Sequence, residues 1–339
     1  MEYPMVSTVV ENTTKTELLC VKELSVHFDV KGQGILRAVD GVDLDIRQGQ
    51  VLGLVGESGC GKTVFSLSLL RLISPPGHIS SGQINWVGRN LLGLSNKEMR
   101  LVRGKEIAMI FQNPQSSLNP LYSVGAQLIS VIRLHREMSK EEARNEALHL
   151  LRLVEISDPE RRMNDYPHQF SGGMAQRIMI AMALSCQPKL LIADEPTASL
   201  DVTIQAQIMD LLLEIREKFQ MSILLVSHDL GVIAKMCDRI AVMYLGRIVE
   251  IAPAEKLYYS PMHPYTQALL KSVPIPDPRH NGKIAKLTGD VPSPLNIPSG
   301  CRFRSRCPKA FELCPQIDPI LRAVNGDDHL AACLLYEEK

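Results

Sequence analysis

No stretch of this 339-residue chain is apolar for the roughly 18 residues that a membrane-spanning helix needs. Charge of one sign is not in excess either. Lys+Arg and Asp+Glu both number 37, and the formal net charge is zero. There is no overall basic balance, and no basic stripe, of the kind that grips nucleic acid or an anionic membrane. The first residues carry Glu2, Pro4 and Glu11 instead of a basic segment followed by an apolar one, so no secretory signal is expected. Residues 1–16 are polar and Thr-rich and read as a flexible leader. No Cys-x₂-Cys pair occurs among the eight cysteines, which argues mildly against a zinc ribbon or finger.

What is present centres on Gly56-Glu57-Ser58-Gly59-Cys60-Gly61-Lys62-Thr63, a G-x-x-x-x-G-K-[ST] match. Val51 to Val55 before it is a short apolar run, as a buried parallel strand should be. Val64 to Leu72 after it is a helical stretch without Pro or Gly. A glycine-rich loop between a strand end and a helix N-terminus turns its N–H groups toward phosphate. Lys62 would then reach the β- and γ-phosphates, and the Thr63 hydroxyl would ligate Mg²⁺. Cys60 stands at a helix start, a position that lowers a thiol pKa.

The remaining elements read in order. Leu18 to Phe28 and Ala38 to Ile46 are strands about a turn at Gly32 and Gly34, an antiparallel opening to a parallel α/β core. Phe28 near that turn could stack on a base or fill the strand core, and its position does not choose. Gly82 to Val87 and Glu106 to Phe111 are further strands, and Gln112 follows the second at the end where parallel sheets bind ligands. Val124 to Val154 is helical, with a capping box at Ser139 and Glu142, and Tyr166-Pro167 closes this insert. Ser171-Gly172-Gly173 then open a second anion-friendly helix over Ala175 to Ser185, which invites a dimer whose chains cap each other's nucleotide. Lys189 to Ala193 is a buried strand ending in Asp194-Glu195, where one carboxylate can hold Mg²⁺ and the next can polarise water. Met221 to Ser227 is another strand with His228 at its end, and Ile240 to Tyr244 with Arg247 to Ile251 form a hairpin.

Taken together these residues resemble the nucleotide-binding subunit of an ABC transporter, over about residues 18 to 272 with further similarity in the tail to about 333. The fold implied is a P-loop (RecA-like) α/β domain with an antiparallel β subdomain, an inserted helical subdomain over about 113–175 and a small Cys-rich C-terminal extension. The ATPase domain would span 17–272 and a Pro- and Cys-rich domain 273–339. On this resemblance Phe28 stacks on the base, Gly56 to Thr63 are Walker A and Gln112 is the Q-loop. Ser171, Gly172 and Gly173 are the signature, Asp194 and Glu195 are Walker B and the catalytic Glu, Ala198-Ser199-Leu200-Asp201 is the D-loop, and His228 is the switch. The signature reads FSGGM in place of LSGGQ, a change at flanking positions only. ATP would be the substrate, with Mg²⁺ held by Thr63, Gln112 and Asp194.

Tyr166 to Met174, His263 to Leu270, Gly300-Cys301-Arg302-Phe303 and Arg306-Cys307-Pro308 resemble the dipeptide/oligopeptide branch of importers more narrowly. That branch, some of whose members handle nickel or glutathione, implies a second, different ATPase subunit, two integral membrane permease subunits and a separate solute-binding protein. It places the chain peripherally on the cytoplasmic face of the inner (cell) membrane, without nucleic acid. A soluble ABC ATPase without a transport role is the other reading. Against it stand the single cassette and the short insert.

From about Pro274 the composition shifts. Pro274, Pro276, Pro278, Pro292, Pro294 and Pro298 suggest an extended segment. Cys301-x₅-Cys307-x₆-Cys314-x₁₈-Cys333 follows. Four thiolates suit tetrahedral Zn²⁺ or a [4Fe–4S] cluster, and free thiols or disulfides remain open. The resemblance leans to [4Fe–4S], with Zn²⁺ as the alternative. Arg302, Arg304, Arg306 and Lys309 are expected to offset thiolate charge, and His329 near Cys333 is a candidate extra ligand.

Overall fold

A computed structural model describes residues 16–198, 200–272 and 289–337. Residues 1–15 of the expected 1–16 leader, Ser199 of the D-loop stretch, and Pro274, Pro276 and Pro278 lie outside these described residues.

The chain opens with β1 (Glu17–Val30) and β2 (Gly34–Arg47), paired antiparallel about the expected turn. β3 (Val51–Val55) leads through the glycine-rich loop into α1 (Lys62–Leu69). β4 (Gly77–Trp86) and β5 (Arg89–Asn90) return to the first pair and complete a four-stranded sheet in the order β2-β1-β4-β5. β4 starts five residues before the expected Gly82. The extra length is carried by a shift in register against β1 between Lys22 and Ser25. Gly82 lies at that irregularity with φ +104°, where a Cβ would stand 2.5 Å from the Leu24 Cα. A glycine inside a strand therefore marks a bulge here and not a strand start.

α2 (Asn96–Val102) precedes β6 (Ile107–Ile110). Then come α3 (Pro114–Ser117), α4 (Val124–His135), α5 (Lys140–Leu153), α6 (Pro159–Arg162) and α7 (Gly172–Leu184). The helical region expected over Val124 to Val154 is thus two helices. Both members of the predicted capping box are present: Ser139 accepts from the Glu142 N–H, and Glu142 accepts from the Ser139 N–H at 2.8 Å.

β7 (Leu190–Asp194), α8 (Val202–Phe219), β8 (Ser222–Ser227), α9 (Leu230–Met236), β9 (Arg239–Tyr244) and β10 (Arg247–Pro253) build the core. α10 (Ala254–Tyr259) and α11 (Pro264–Lys271) follow, and the tail adds β11 (Arg322–Ala323) and β12 (Leu330–Ala331). The second sheet has the order β11-β12-β10-β9-β3-β8-β7-β6. β6, β7, β8, β3 and β9 run parallel.

Burial on both faces explains the apolar runs of these strands. Val51 and Val55 face the core shared with the helical insert, while Leu52 and Leu54 face the core under the antiparallel sheet. The tail is continuous with this architecture. β12 pairs with β10 through Glu250 and Ile251, and Phe303 is buried in the same core as the helical insert. Among the described residues no helix is long and apolar enough to cross a membrane.

Candidate functional site

Four neighbouring parallel strands bring the expected site residues to one edge. Gln112 follows β6, Glu195 follows β7, His228 follows β8, and the glycine-rich loop follows β3. Side chains at strand ends in this order converge, because adjacent strands are only about 4.8 Å apart. Gln112 Nε2 donates to Glu195 Oε2 at 2.7 Å, and His228 Nδ1 lies 3.2 Å from Glu195 Oε1. Both carboxylate oxygens of Glu195 are thus engaged, one by each neighbour. Glu195 itself has φ +47°, a left-handed conformation that costs a non-glycine residue energy.

The glycine-rich loop is held by close backbone contacts. A Cβ on Gly56 would lie 2.2 Å from the Met243 carbonyl oxygen, and one on Gly61, at φ +113°, 2.3 Å from that of Ala38. Only glycine fits at either point. Gly61 is the N-cap of α1, and the Gly246 N–H donates to the Cys60 carbonyl at 2.8 Å. Ser58 and Gly59 lie at the loop's exposed side. Lys62 is buried, and its ammonium donates to the carbonyls of Gly56 at 2.8 Å and Glu57 at 3.2 Å.

The Cys60 thiol corrects the sequence expectation. It is 2% exposed, and loss of solvent raises its pKa, outweighing the nearby Lys62 charge that lowers it. A helix start does not activate a thiol that points into the core.

Asp194 is buried, and burial raises its carboxyl pKa against a hydrogen bond from Thr63 that lowers it. Its Oδ1 has no hydrogen-bond partner in the protein. A buried carboxylate oxygen left over beside a Thr hydroxyl fits a divalent cation. Phe28 is half-buried and packs on the core under the antiparallel sheet, against Gly77 and Ile73.

Ser171 caps α7, its Oγ accepting the Met174 N–H at 3.4 Å. Gly172 and Gly173 form the first turn of that helix, beside Leu200 and Ile204. Asp201 caps α8, accepting from the Ile204 N–H at 3.0 Å. α7 packs beside β6, three strands from β3 in the sheet order. At strand spacing that puts β6 about 14 Å from β3.

In the tail, Cys301, Cys307, Cys314 and Cys333 all line one narrow cavity, together with His263, Phe303 and Leu334. None of them is in a disulfide. Burial raises the thiol pKa of Cys301 and Cys307, and that of Cys333 to about 11. Among the described residues no three His, Cys, Asp or Glu side chains are grouped closely enough for a metal ion.

Two further expectations change. The tail arginines do not serve the cysteines. Arg302 pairs with Asp40 and donates to the Leu245 carbonyl, Arg304 donates to the Ser299 carbonyl, and Arg306 forks onto Glu57 at 2.7 and 2.9 Å. Lys309 donates to Gln267 at 3.4 Å. Guanidinium groups seek carboxylates, and the core offers two that the sequence order hides. His329 is fully buried with its Nε2 2.7 Å from Glu250 Oε1, and it does not line the cavity of the four cysteines, so it lies apart from them. Glu250 also accepts the N–H groups of Met262 and His263. Sequence reasoning missed this carboxylate altogether, since nothing in Arg247–Pro253 distinguishes it from a solvent-facing strand position.

The comparisons agree with this geometry. The family described as ABC transporter matches residues 39–198, and that described as oligopeptide/dipeptide transporter, C-terminal region, matches residues 249–314. A probable peptide ABC transporter ATP-binding protein of Sinorhizobium fredii is 48% identical, covering 93% of this chain and 94% of its own. The dipeptide transport ATP-binding protein DppD of Haemophilus influenzae is 49% identical, covering 91% and 93%. Among solved structures, an ATP-binding cassette in a dimeric post-hydrolysis state with ADP and phosphate matches at TM-score 0.63 and 28% identity, covering 70% of this chain and 99% of that one. With relatives this similar over nearly its whole length, the chain belongs to the ABC transporter family, in the branch of oligopeptide/dipeptide transport ATP-binding subunits.

Proposed function

We propose that this chain hydrolyses ATP beneath membrane permease subunits and couples that hydrolysis to uptake of dipeptides or oligopeptides. The observation that carries the reading is Glu195, held from both sides by Gln112 and His228 at the mouth of the glycine-rich loop. A carboxylate so oriented can accept a proton from a water attacking the γ-phosphate. Lys62 and the loop N–H groups bind the phosphates, Phe28 is assigned to the base, and His228 senses the γ-phosphate. Thr63, Gln112 and Asp194 would hold Mg²⁺, which supplies charge neutralisation when bound. Ser171, Gly172 and Gly173 serve the nucleotide of a partner chain, with Asp201 lying at the same dimer face. That partner is read as a second, different ATPase subunit. The peptide substrate follows the relatives' names, and peripheral attachment at the cytoplasmic face follows from it. The domain limits of 17–272 and 273–339 are kept as part of this proposal.

The test is Glu195→Gln in the assembled transporter. ATP binding should persist while turnover falls by at least about a hundredfold, the low end for losing a general base. Hydrolysis near the wild-type rate would remove Glu195 from this role.

A second reading concerns the tail. Cys301, Cys307, Cys314 and Cys333 line one cavity, and we read them as ligands of a [4Fe–4S] cluster, with a single Zn²⁺ ion as the alternative. These four thiols would hold it, and its contribution would be to staple the tail to the sheet. Iron, acid-labile sulfide and zinc measured per chain on protein purified without oxygen decide between the two. About four irons and four sulfides are expected. One zinc without iron would overturn the cluster.

A further inference from the structure

We infer that Arg306, in the tail, is a positioning residue for ATP binding that acts through Glu57 of the phosphate loop. Glu57 is the second residue of the Gly56 to Thr63 motif, and sequence pattern leaves its identity open. In the fold it is the most heavily restrained residue of the loop. Its carbonyl accepts from Lys62 at 3.2 Å. Its N–H donates to the Tyr265 hydroxyl at 2.9 Å. Its two carboxylate oxygens accept from the two terminal nitrogens of Arg306 at 2.7 and 2.9 Å.

The support behind Arg306 is rigid. Its side chain is only 3% exposed, against 26% for Glu57. The guanidinium lies 5.9 Å from the centre of the Tyr244 ring. Tyr244, Tyr265 and Phe303 pack against one another with ring centroids 4.7 to 5.3 Å apart. Tyr244 ends β9, whose neighbouring Met243 carbonyl already closes on Gly56. A buried fork on a fixed aromatic floor can hold a carboxylate in one orientation, which a flexible ammonium cannot.

The competition for Lys62 makes this hold matter. The ammonium donates to two carbonyls of the loop, and phosphate oxygens compete for the same donor. A phosphate that draws Lys62 away removes one restraint on Glu57 and leaves the Cys60 N–H, which donates to its carbonyl at 3.3 Å within the loop, and two from elsewhere in the fold, Tyr265 and Arg306. Both lie outside the strand–loop–helix motif, one in α11 and one 249 residues away in sequence. The loop shape that the β- and γ-phosphates meet is therefore set in part by the C-terminal segment. Glu195 and its neighbours sit on other strands, so the chemical step does not depend on this brace.

That separation gives the test. ATP binding and steady-state hydrolysis are measured on the assembled transporter carrying Arg306→Ala, Glu57→Ala, both together, Arg306→Lys, or Arg304→Ala. We expect Arg306→Ala to raise the Kd and KM for ATP roughly tenfold with kcat changed less than about twofold, the signature of lost ground-state binding. Glu57→Ala should do the same, and the double variant should be no worse than either single, because the two residues act as one unit. Arg306→Lys should recover part of the affinity through its charge while losing the fork. Arg304→Ala, whose guanidinium reaches only the exposed Ser299 carbonyl, should leave KM at the wild-type value. The inference is overturned if Arg306→Ala leaves Kd and KM unchanged, or if Arg306→Ala and Glu57→Ala are additive. It is equally overturned if Arg306→Ala lowers kcat and the melting temperature without moving KM, which is the pattern of a tail contact that only stabilises the fold. Iron content is measured on the same preparations, because Arg306 adjoins Cys307, and KM is compared between preparations of equal iron content.

Discussion

The phosphate loop and the cysteine tail are built from opposite materials. The loop is eight consecutive residues between a strand and a helix, and its geometry is enforced by backbone: the Met243 and Ala38 carbonyls stand where a Cβ on Gly56 or Gly61 would go. The tail collects four thiols spread from residue 301 to residue 333 around one cavity, and side chains reaching distant parts of the sequence add to its backbone contacts. Arg302 reaches Asp40, Arg306 reaches Glu57, and Phe303 packs against Tyr244 and Tyr265. A contiguous backbone site can be read as a motif. A site assembled from distant side chains has to be seen folded before its partners are known. Yet the second region leans on the first, since two of its arginines end on carboxylates beside the nucleotide loop and the strand that buttresses it.

The comparison is sharpest where chemistry is at stake. Glu195→Gln should cost at least about a hundredfold in turnover, because it removes the base and leaves both regions standing. Gly61→Ala should come next. It places a methyl group 2.3 Å from the Ala38 carbonyl at φ +113°, in a loop that cannot retreat. Strain of this kind costs about 1–3 kcal/mol. More than about a tenfold loss of ATP affinity is expected, measured by equilibrium binding, with the tail's metal content unchanged. Normal ATP binding by the Gly61→Ala variant would break the claim that backbone enforces the loop. Cys333→Ser probes the other region. If the four thiols hold a structural cluster, the variant should lose iron and melt several degrees lower, with little change in the KM for ATP. Full iron content in that variant would remove Cys333 from the ligand set.

How much is legible follows the same division. The parallel strands at Val51–Val55, Leu190–Asp194 and Ser222–Ser227 stand out as apolar runs because both faces are buried. The second and third end in polar residues, as does the turn after Ile107–Ile110, and strand order then brings Gln112, Glu195 and His228 together. The capping box at Ser139 is legible because it is local. β4 reads too short because Gly82 looks like punctuation, although it is a bulge pressed against Leu24. Cys60 misleads because helix-start electrostatics is visible in sequence and burial is not. The arginines near the cysteines look like counter-charges because sequence shows neighbours along the chain. Asp40 and Glu57 are 262 and 249 residues away. Glu250, His263 and His329 form a buried cluster with no period or spacing along the chain to mark it.

That buried cluster supports the smallest effect, one that is absent at neutral pH. His263 caps α11, its Nδ1 accepting the Tyr265 N–H at 3.1 Å, so the neutral imidazole is the form the fold uses. Burial lowers its pKa to about 4, despite the Glu250 carboxylate, which acts in the other direction. The unfolded chain would titrate this group near pH ~6.5. Between those values the unfolded state binds the proton and the folded state does not, so stability falls as pH drops from about 6.5 to about 4. The full window corresponds to on the order of 3 kcal/mol, and to almost nothing above about pH 7. Asn at this position keeps an oxygen acceptor for the helix cap and cannot titrate. His263→Asn should therefore match the wild type in thermal melting at about pH 7.5 and melt higher than it at about pH 5. Parallel melting curves across that range would remove the neutral histidine as a source of acid sensitivity in this corner.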